Sequence, residues 1–138
     1  MFKWKEEYSV GIKEIDDQHK KLFSIADELF LALENNEEGF DQYDTIHKLL
    51  KELHDYTVYH FETEEELMER HDFIGLGSHR FQHKIFVKKL EEIDLEELDL
   101  NQKEGIMDLL NFIVNWIEKH ILEEDQKYGP FLREKINT

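Results

Sequence analysis

Seven side chains stand out because their types and spacing suit a metal ion: His19, His60, Glu64, His79, His83, His120 and Asp125. His60 and Glu64 are four residues apart, as are His79 and His83, so on a helix each pair shares one face. That face is otherwise apolar. Ile46, Leu49, Leu50 and Leu53 lead through Tyr56 and Thr57 onto His60, and Leu67 follows Glu64. A buried polar group without a partner costs on the order of 1–3 kcal/mol. One histidine on such a stripe is most simply a satisfied core residue. Five of them, facing inward from four segments, call for a shared partner, and a metal ion would use all their lone pairs.

The donor set narrows the chemistry. There is no Cys, so no thiolate site and no disulfide framework. Five imidazoles and two carboxylates exceed the four ligands of a usual zinc site. They suit two ions of higher coordination number that share carboxylates. Imidazole with carboxylate favours iron, manganese or zinc over calcium or magnesium. The Glu-x-x-His motif of ferritin-like sites is absent, since no histidine has Glu three residues before it. A histidine-rich site has few negative ligands to stabilise high-valent iron, which tilts it towards reversible binding. Asp125 fits least well. Five steps of about 100° leave it roughly 140° from His120 on a regular helix. It needs a sideways reach or a local distortion of the helix.

The elements that must position these groups are helical. The 138 residues contain one Pro and six Gly, with abundant Leu, Glu and Lys. A single domain over residues 1–138 is the simplest organisation. The formal charge of −16 opposes nucleic acid, whose phosphates it would repel. No apolar run has the length of a signal peptide or a membrane span, so a cytoplasmic protein without membrane insertion is expected.

Residues from Met1 to about Ile15 form an arm across the bundle, with a short strand as the lesser alternative. A first helix is expected from Asp16 or Asp17, with His19, Leu22, Ala26, Leu29, Phe30 and Leu33 on one stripe. Asn35-Asn36 and Gly39 end it. The second helix runs from about Asp41 to Arg70. A turn over residues 71–77 leads to Ser78, a candidate N-cap for the third helix. That helix carries His79, His83, Phe86, Leu90 and Ile93. An acidic connector covers Asp94 to Leu100. The fourth helix starts near Asn101 and buries Ile106, Leu109, Leu110, Ile113, Ile117, His120 and Ile121. Gly129-Pro130 should stop it, with a short helix from Phe131 to Ile136 beyond. The expected fold is all-α, an up-down-up-down four-helix bundle with an N-terminal arm and a short C-terminal helix.

With His19 early in the first helix, the series continues as His60-x-x-x-Glu64, His79-x-x-x-His83 and His120-x-x-x-x-Asp125. In this the chain resembles the hemerythrin family, specifically the single-domain bacterial hemerythrins. Seven positions in the right order and spacing, across nearly the whole chain, make the resemblance specific. The five-residue step to Asp125 is the family's own.

The resemblance implies a non-haem di-iron centre as cofactor, two iron ions joined through an oxygen from solvent. It assigns His79, His83 and His120 to one iron and His19 and His60 to the other. Glu64 and Asp125 bridge both, and one position stays open for dioxygen. The implied function is reversible dioxygen binding for carriage, storage or delivery. The alternatives are an oxygen or redox sensor acting through an unidentified partner protein, or a di-iron enzyme such as an oxidase, peroxidase or nitric-oxide reductase. No substrate cleft, Ser-His-Asp order or phosphate loop marks an enzyme.

Reversible binding requires water and protons to be kept out. Leu22 lies one turn from His19, Phe61 adjoins His60, and Ile113, Trp116 and Ile117 lie within two turns of His120. These are candidate pocket walls, and Trp4 in the arm is a candidate cover. His47, His54, His71, Glu65, Glu66, Glu69, Lys20 and Lys21 are expected on the surface.

Overall fold

The computed structural model describes residues 3–34, 43–92 and 102–136. Four long helices carry the chain: α1 (Lys13–Glu34), α2 (Tyr43–Arg70), α3 (Leu76–Glu91) and α4 (Gln102–His120). A π-helical turn, Ile121–Asp125, follows α4 without a break and leads into α5, Gln126–Ile136. No strand occurs among the described residues. α1 packs along α2, α2 along α3, and α4 along α1, giving a four-helix bundle. α3 and α4 meet through aromatic rings, with Phe86 stacked on Trp116 at 4.1 Å between centroids.

The buried stripe of α1 holds Ile15, Leu22, Ala26, Leu29 and Leu33 at helical spacing, with Gln18 and His19 among them. Leu22, Ala26, Leu29 and Leu33 join Leu49, Leu50 and Leu53 of α2, Phe86 of α3, and Leu110, Ile113 and Ile117 of α4 in one apolar cluster. The polar residues His60 and Glu64 sit at one end of this cluster. A second cluster lies beyond them, formed by Val10, Ile12, Ile15, Leu67, Met68, Tyr128 and Leu132. The metal-type side chains are therefore enclosed between two apolar bodies.

The N-terminal arm closes the second cluster. A 3₁₀ turn at Glu6–Tyr8 brings Tyr8 into the core. Gly11 then takes φ +77°, where a side chain would be strained and would collide with Arg133. At Gly129 the arm passes so close that a Cβ would meet the Val10 carbonyl at 3.2 Å. α1 begins at Lys13, earlier than the acidic pair suggests, because Asp16 holds the arm. It accepts the Val10 N–H at 2.9 Å and the Ser9 hydroxyl at 2.5 Å.

The α2–α3 turn is a Schellman motif. Asp72 sits at φ 56°, Phe73 N–H donates to the Met68 carbonyl at 2.9 Å, and Asp72 N–H to that of Glu69 at 3.2 Å. This tight exit delivers the chain into α3 two residues before Ser78. Gly75 takes the N-cap position without a side-chain cap, and Ser78 is exposed in the first turn.

The Gly129-Pro130 stop does not occur. Pro130 lies inside α5, and the C-terminal helix starts at Gln126 and not at Phe131. Proline removes one helical hydrogen bond, but burial of Tyr128, Gly129 and Leu132 holds the surrounding turns in place. The end of the first helix at Asn35-Asn36 and Gly39, the start near Asp41, Ile93, the Asp94–Leu100 connector and Asn101 lie outside the described residues.

Candidate metal centre

All seven predicted ligands are buried, and the structure brings them together. Donor atoms of Glu64, His79, His83, His120 and Asp125 lie within 4.8 Å of one another. A second group of His19, His60, Glu64 and Asp125 meets the same limit. The two groups share Glu64 and Asp125 and divide the histidines three to two.

The shared carboxylates face both ways. Glu64 Oε1 lies 3.2 Å from His19 Nε2 and against His60 Nε2. Its Oε2 lies 3.2 Å from His79 Nε2 and 3.5 Å from His83 Nε2. Asp125 Oδ2 lies 3.2 Å from His19 Nε2. Its Oδ1 lies 2.9 Å from His79 Nε2 and 3.2 Å from His120 Nε2. Each carboxylate thus gives one oxygen to each histidine set.

The π turn explains the place of Asp125. A regular helix would swing it away from His120, whereas the wider i→i+5 turn brings the two into line. The distortion required by the sequence spacing is this one.

The arrangement fits metal ligation better than a hydrogen-bonded core. His120 Nε2 lies 3.1 Å from His83 Nε2 and 3.2 Å from His79 Nε2. Bonds of about 2.0–2.1 Å at right angles around an ion put neighbouring donors about 3 Å apart. His79 Nε2 also faces two carboxylate oxygens, and one N–H cannot serve three neighbours. Both Asp125 oxygens are buried and accept no hydrogen bond, although three imidazole nitrogens surround them. These are lone pairs aimed at common points.

The charges of the metal-free cluster are shared among its members. Burial pulls His19 and His79 down, but Asp125 and Glu64 beside them outweigh it and raise both to about 9. Burial lowers His60, with Glu64 opposing. Burial raises Glu64, yet the histidines, His60 first, hold it well below the usual carboxylate range. Asp125 is likewise depressed by His120, His19 and His79 against burial and the Glu64 charge.

Other residues hold the ligands in place, and two of them carried no metal-type spacing in the sequence. His60 Nδ1–H donates to Gln18 Oε1 at 2.7 Å, and Gln18 Nε2–H donates to Thr63 Oγ1 at 3.3 Å. Gln18 is buried one residue before His19, so the α1 stripe contained the signal. His83 Nδ1–H donates to Glu65 Oε2 at 2.9 Å. Glu65 is therefore not a solvated surface acid as expected from its run of glutamates. Tyr128, three residues beyond Asp125, has a buried hydroxyl without a hydrogen-bond partner. Burial, then the Asp125 and Glu64 charges, raises it well above the ordinary tyrosine range.

Of the candidate wall residues, Leu22, Phe61, Ile113 and Ile117 are buried in the larger apolar cluster. Phe61 stacks flat on His83, 3.7 Å between centroids, and Trp116 stacks on His120 at 4.5 Å. Trp4 is half-buried against the cluster with Lys20 Nζ 4.5 Å over its ring. His47, Lys20, Lys21, Glu66 and Glu69 are exposed, while His54 and His71 are half-buried. Among the described residues, no helix is long and apolar enough to cross a membrane.

Comparison with known proteins agrees with this geometry. The family model of the hemerythrin HHE cation binding domain matches residues 10–132. A bacteriohemerythrin of Clostridium acetobutylicum is 40% identical over 128 residues, covering 93% of this chain and 98% of the relative. A hemerythrin-like protein of Naegleria gruberi is 32% identical over 131 residues, covering 95% and 93%. The solved structure of a leucine-to-phenylalanine mutant protein superposes with a TM-score of 0.80 at 27% identity, covering 96% of this chain and 97% of that one. On the extent of the family match and the identity of these relatives, the chain belongs to the hemerythrin family.

Proposed function

We propose that this chain, acting as one domain, binds dioxygen reversibly at a non-haem di-iron centre, for carriage, storage or delivery in the cytoplasm. The observation that carries the reading is the split of Glu64 and Asp125 between two histidine sets. A carboxylate that gives one oxygen to each of two donor groups is arranged to bridge two ions. His79, His83 and His120 would hold one iron, and His19 and His60 the other. Having fewer histidines, the second iron would keep the open position. Two ferrous ions so held would supply the electrons and the vacant position that dioxygen needs, and their charge would offset the buried carboxylates.

The protein's part is to orient and to exclude. Gln18 fixes the His60 tautomer by taking its Nδ1–H, which leaves the Nε2 lone pair facing the site. Phe61 and Trp116 clamp the planes of His83 and His120. Leu22, Ile113 and Ile117 add apolar surface that keeps water from the centre. The relatives' names denote hemerythrins, which supports binding over catalysis.

Iron analysis together with the visible spectrum tests this reading. Protein grown with adequate iron should hold two irons per chain. The anaerobically reduced protein should gain a new absorption band in air and lose it on degassing. One iron per chain, zinc alone, or steady oxygen consumption without an oxygenated band would refute it.

A further inference from the structure

We propose that Glu65 is a positioning residue that sets the donor strength of His83, with its negative charge moderated by Arg80. His83 Nδ1–H donates to Glu65 Oε2 at 2.9 Å, and Arg80 Nε–H donates to Glu65 Oε1 at 2.9 Å. Arg80 Nη2 also stands 3.7 Å from Glu69. The flat stack of Phe61 on His83 fixes the plane of the ring, and the bond to Glu65 fixes its rotation within that plane. The Glu65 side chain is 19% exposed, so its charge acts on the ring with little screening by water.

The two histidine sets differ in this respect. His60 is backed by the neutral amide of Gln18, and His19 Nδ1 is buried with no partner. His83 is backed by a carboxylate. An anionic acceptor at Nδ1 shifts electron density onto Nε2, fixes the tautomer and makes the ring a stronger ligand. A stronger ligand favours the more highly charged metal. Arg80 draws the carboxylate charge the other way. The sequence Arg80–Glu65–His83 therefore weights the three-histidine side of the centre towards ferric iron relative to the side facing Gln18.

This inference rests on the di-iron reading for its electrochemical readout but not for the hydrogen bond itself. The experiment compares iron-loaded wild type with Glu65→Gln, Glu65→Ala and Arg80→Gln, measuring iron affinity and the midpoint potential of the ferric/ferrous couple. Glu65→Ala should lose iron affinity by about 10–100-fold. Glu65→Gln, which keeps an acceptor, should recover most of that affinity but show a raised potential. Arg80→Gln should show a lowered potential. Glu62→Gln and Lys84→Gln alter charge in the same surface groove, beside His83 and Glu65. They make no bond to the ring and should shift the potential less.

Potentials that move in the same direction in Glu65→Gln and Arg80→Gln, that do not move, or that match those of the Glu62 and Lys84 variants overturn the proposal. Nitrogen-15 NMR of the metal-free protein decides the hydrogen bond separately. A slowly exchanging His83 Nδ1–H resonance is expected in wild type and should vanish in Glu65→Ala. Its absence from wild type overturns the role of Glu65. A wild type without two irons refutes the di-iron reading, and the NMR resonance then decides the Glu65 assignment alone.

Discussion

His120 Nε2 stands 3.2 Å from Asp125 Oδ1 across a five-residue step, because the turn between them is π-helical. Such turns hold one more residue than a regular turn, and they recur at functional sites because they aim a side chain that an α-helix would misplace. Deleting Leu122, an exposed residue within the turn, lets the segment revert to α-helix. The segment then lacks the wider i→i+5 turn that aims Asp125 at His19, His79 and His120 together. The deletion variant is expected to keep its helix content by circular dichroism and its thermal midpoint, yet to bind fewer than two irons. Full iron at wild-type affinity would mean that the bulge is incidental to the site.

The acidic run on α2 contains side chains of quite different standing. Glu64 is buried among four imidazoles, whereas Glu66 is exposed and pairs with Arg70 at 2.8 Å. Removing one partner from a buried charged set costs about 3–5 kcal/mol. Exposed ion pairs contribute about 0–1 kcal/mol. Glu64→Ala should therefore lose iron and unfold at lower denaturant, while Glu66→Ala should do neither. Chemical denaturation with parallel iron assays measures both, and equal effects would contradict the helix phase described above.

Metal uptake should release protons and depend on pH. His19 and His79 are raised to about 9 in the metal-free chain from an ordinary 6.5. Their folded pKa values exceed the unfolded one, so the stabilisation is complete below about 6.5 and disappears as pH rises towards 9. The metal-free protein should lose on the order of a few kcal/mol of stability across that window. His60, depressed by burial, works in the opposite sense below 6.5. At still lower pH, protonation of Glu64 and Asp125 removes the stability that their depressed values provide. A metal bound as proposed would replace the protons of His19 and His79, so iron affinity should fall as pH drops below 9. Calorimetric unfolding of the metal-free protein from pH 6 to 9, and titration in two buffers of different protonation enthalpy, measure the two effects. A flat midpoint and no proton release would remove both histidines from the charged state assigned to them.

How far the site was legible in the sequence depended on which residues repeat at helical spacing. His60, Glu64, His79 and His83 are regular partners four apart, so their helix faces followed from periodicity alone. Asp125 required the π turn, which no propensity announces. Glu65 looked like its neighbours in composition, and its difference arises only when α3 brings His83 and Arg80 against α2. Gln18 lay on a stripe whose meaning needed His60 from the next helix. Pro130 misled because local stop signals are weaker than the burial of Tyr128 and Leu132 on either side of it. Contacts between helices are what the linear pattern could not carry.

The wall around the centre should matter more for the lifetime of the oxygenated form than for its formation. Ile117 precedes His120 by three residues, is 4% exposed, and belongs to the apolar cluster with Leu22, Phe61 and Ile113. Shortening it to Ala opens a cavity and costs about 2–5 kcal/mol of stability. Ile117 contributes no ligand atom, so iron should be retained at two per chain and dioxygen should still bind after reduction. If the centre binds dioxygen as proposed, the new space beside His120 would admit water, and with it protons that would end reversible binding. Ile117→Ala is therefore expected to lose its oxygenated absorption band several-fold faster in air than wild type. The measurement is the decay of that band in both proteins, with iron content and thermal midpoint recorded on the same samples. A decay rate equal to that of wild type, at equal iron content, would show that Ile117 is core alone and takes no part in keeping water out.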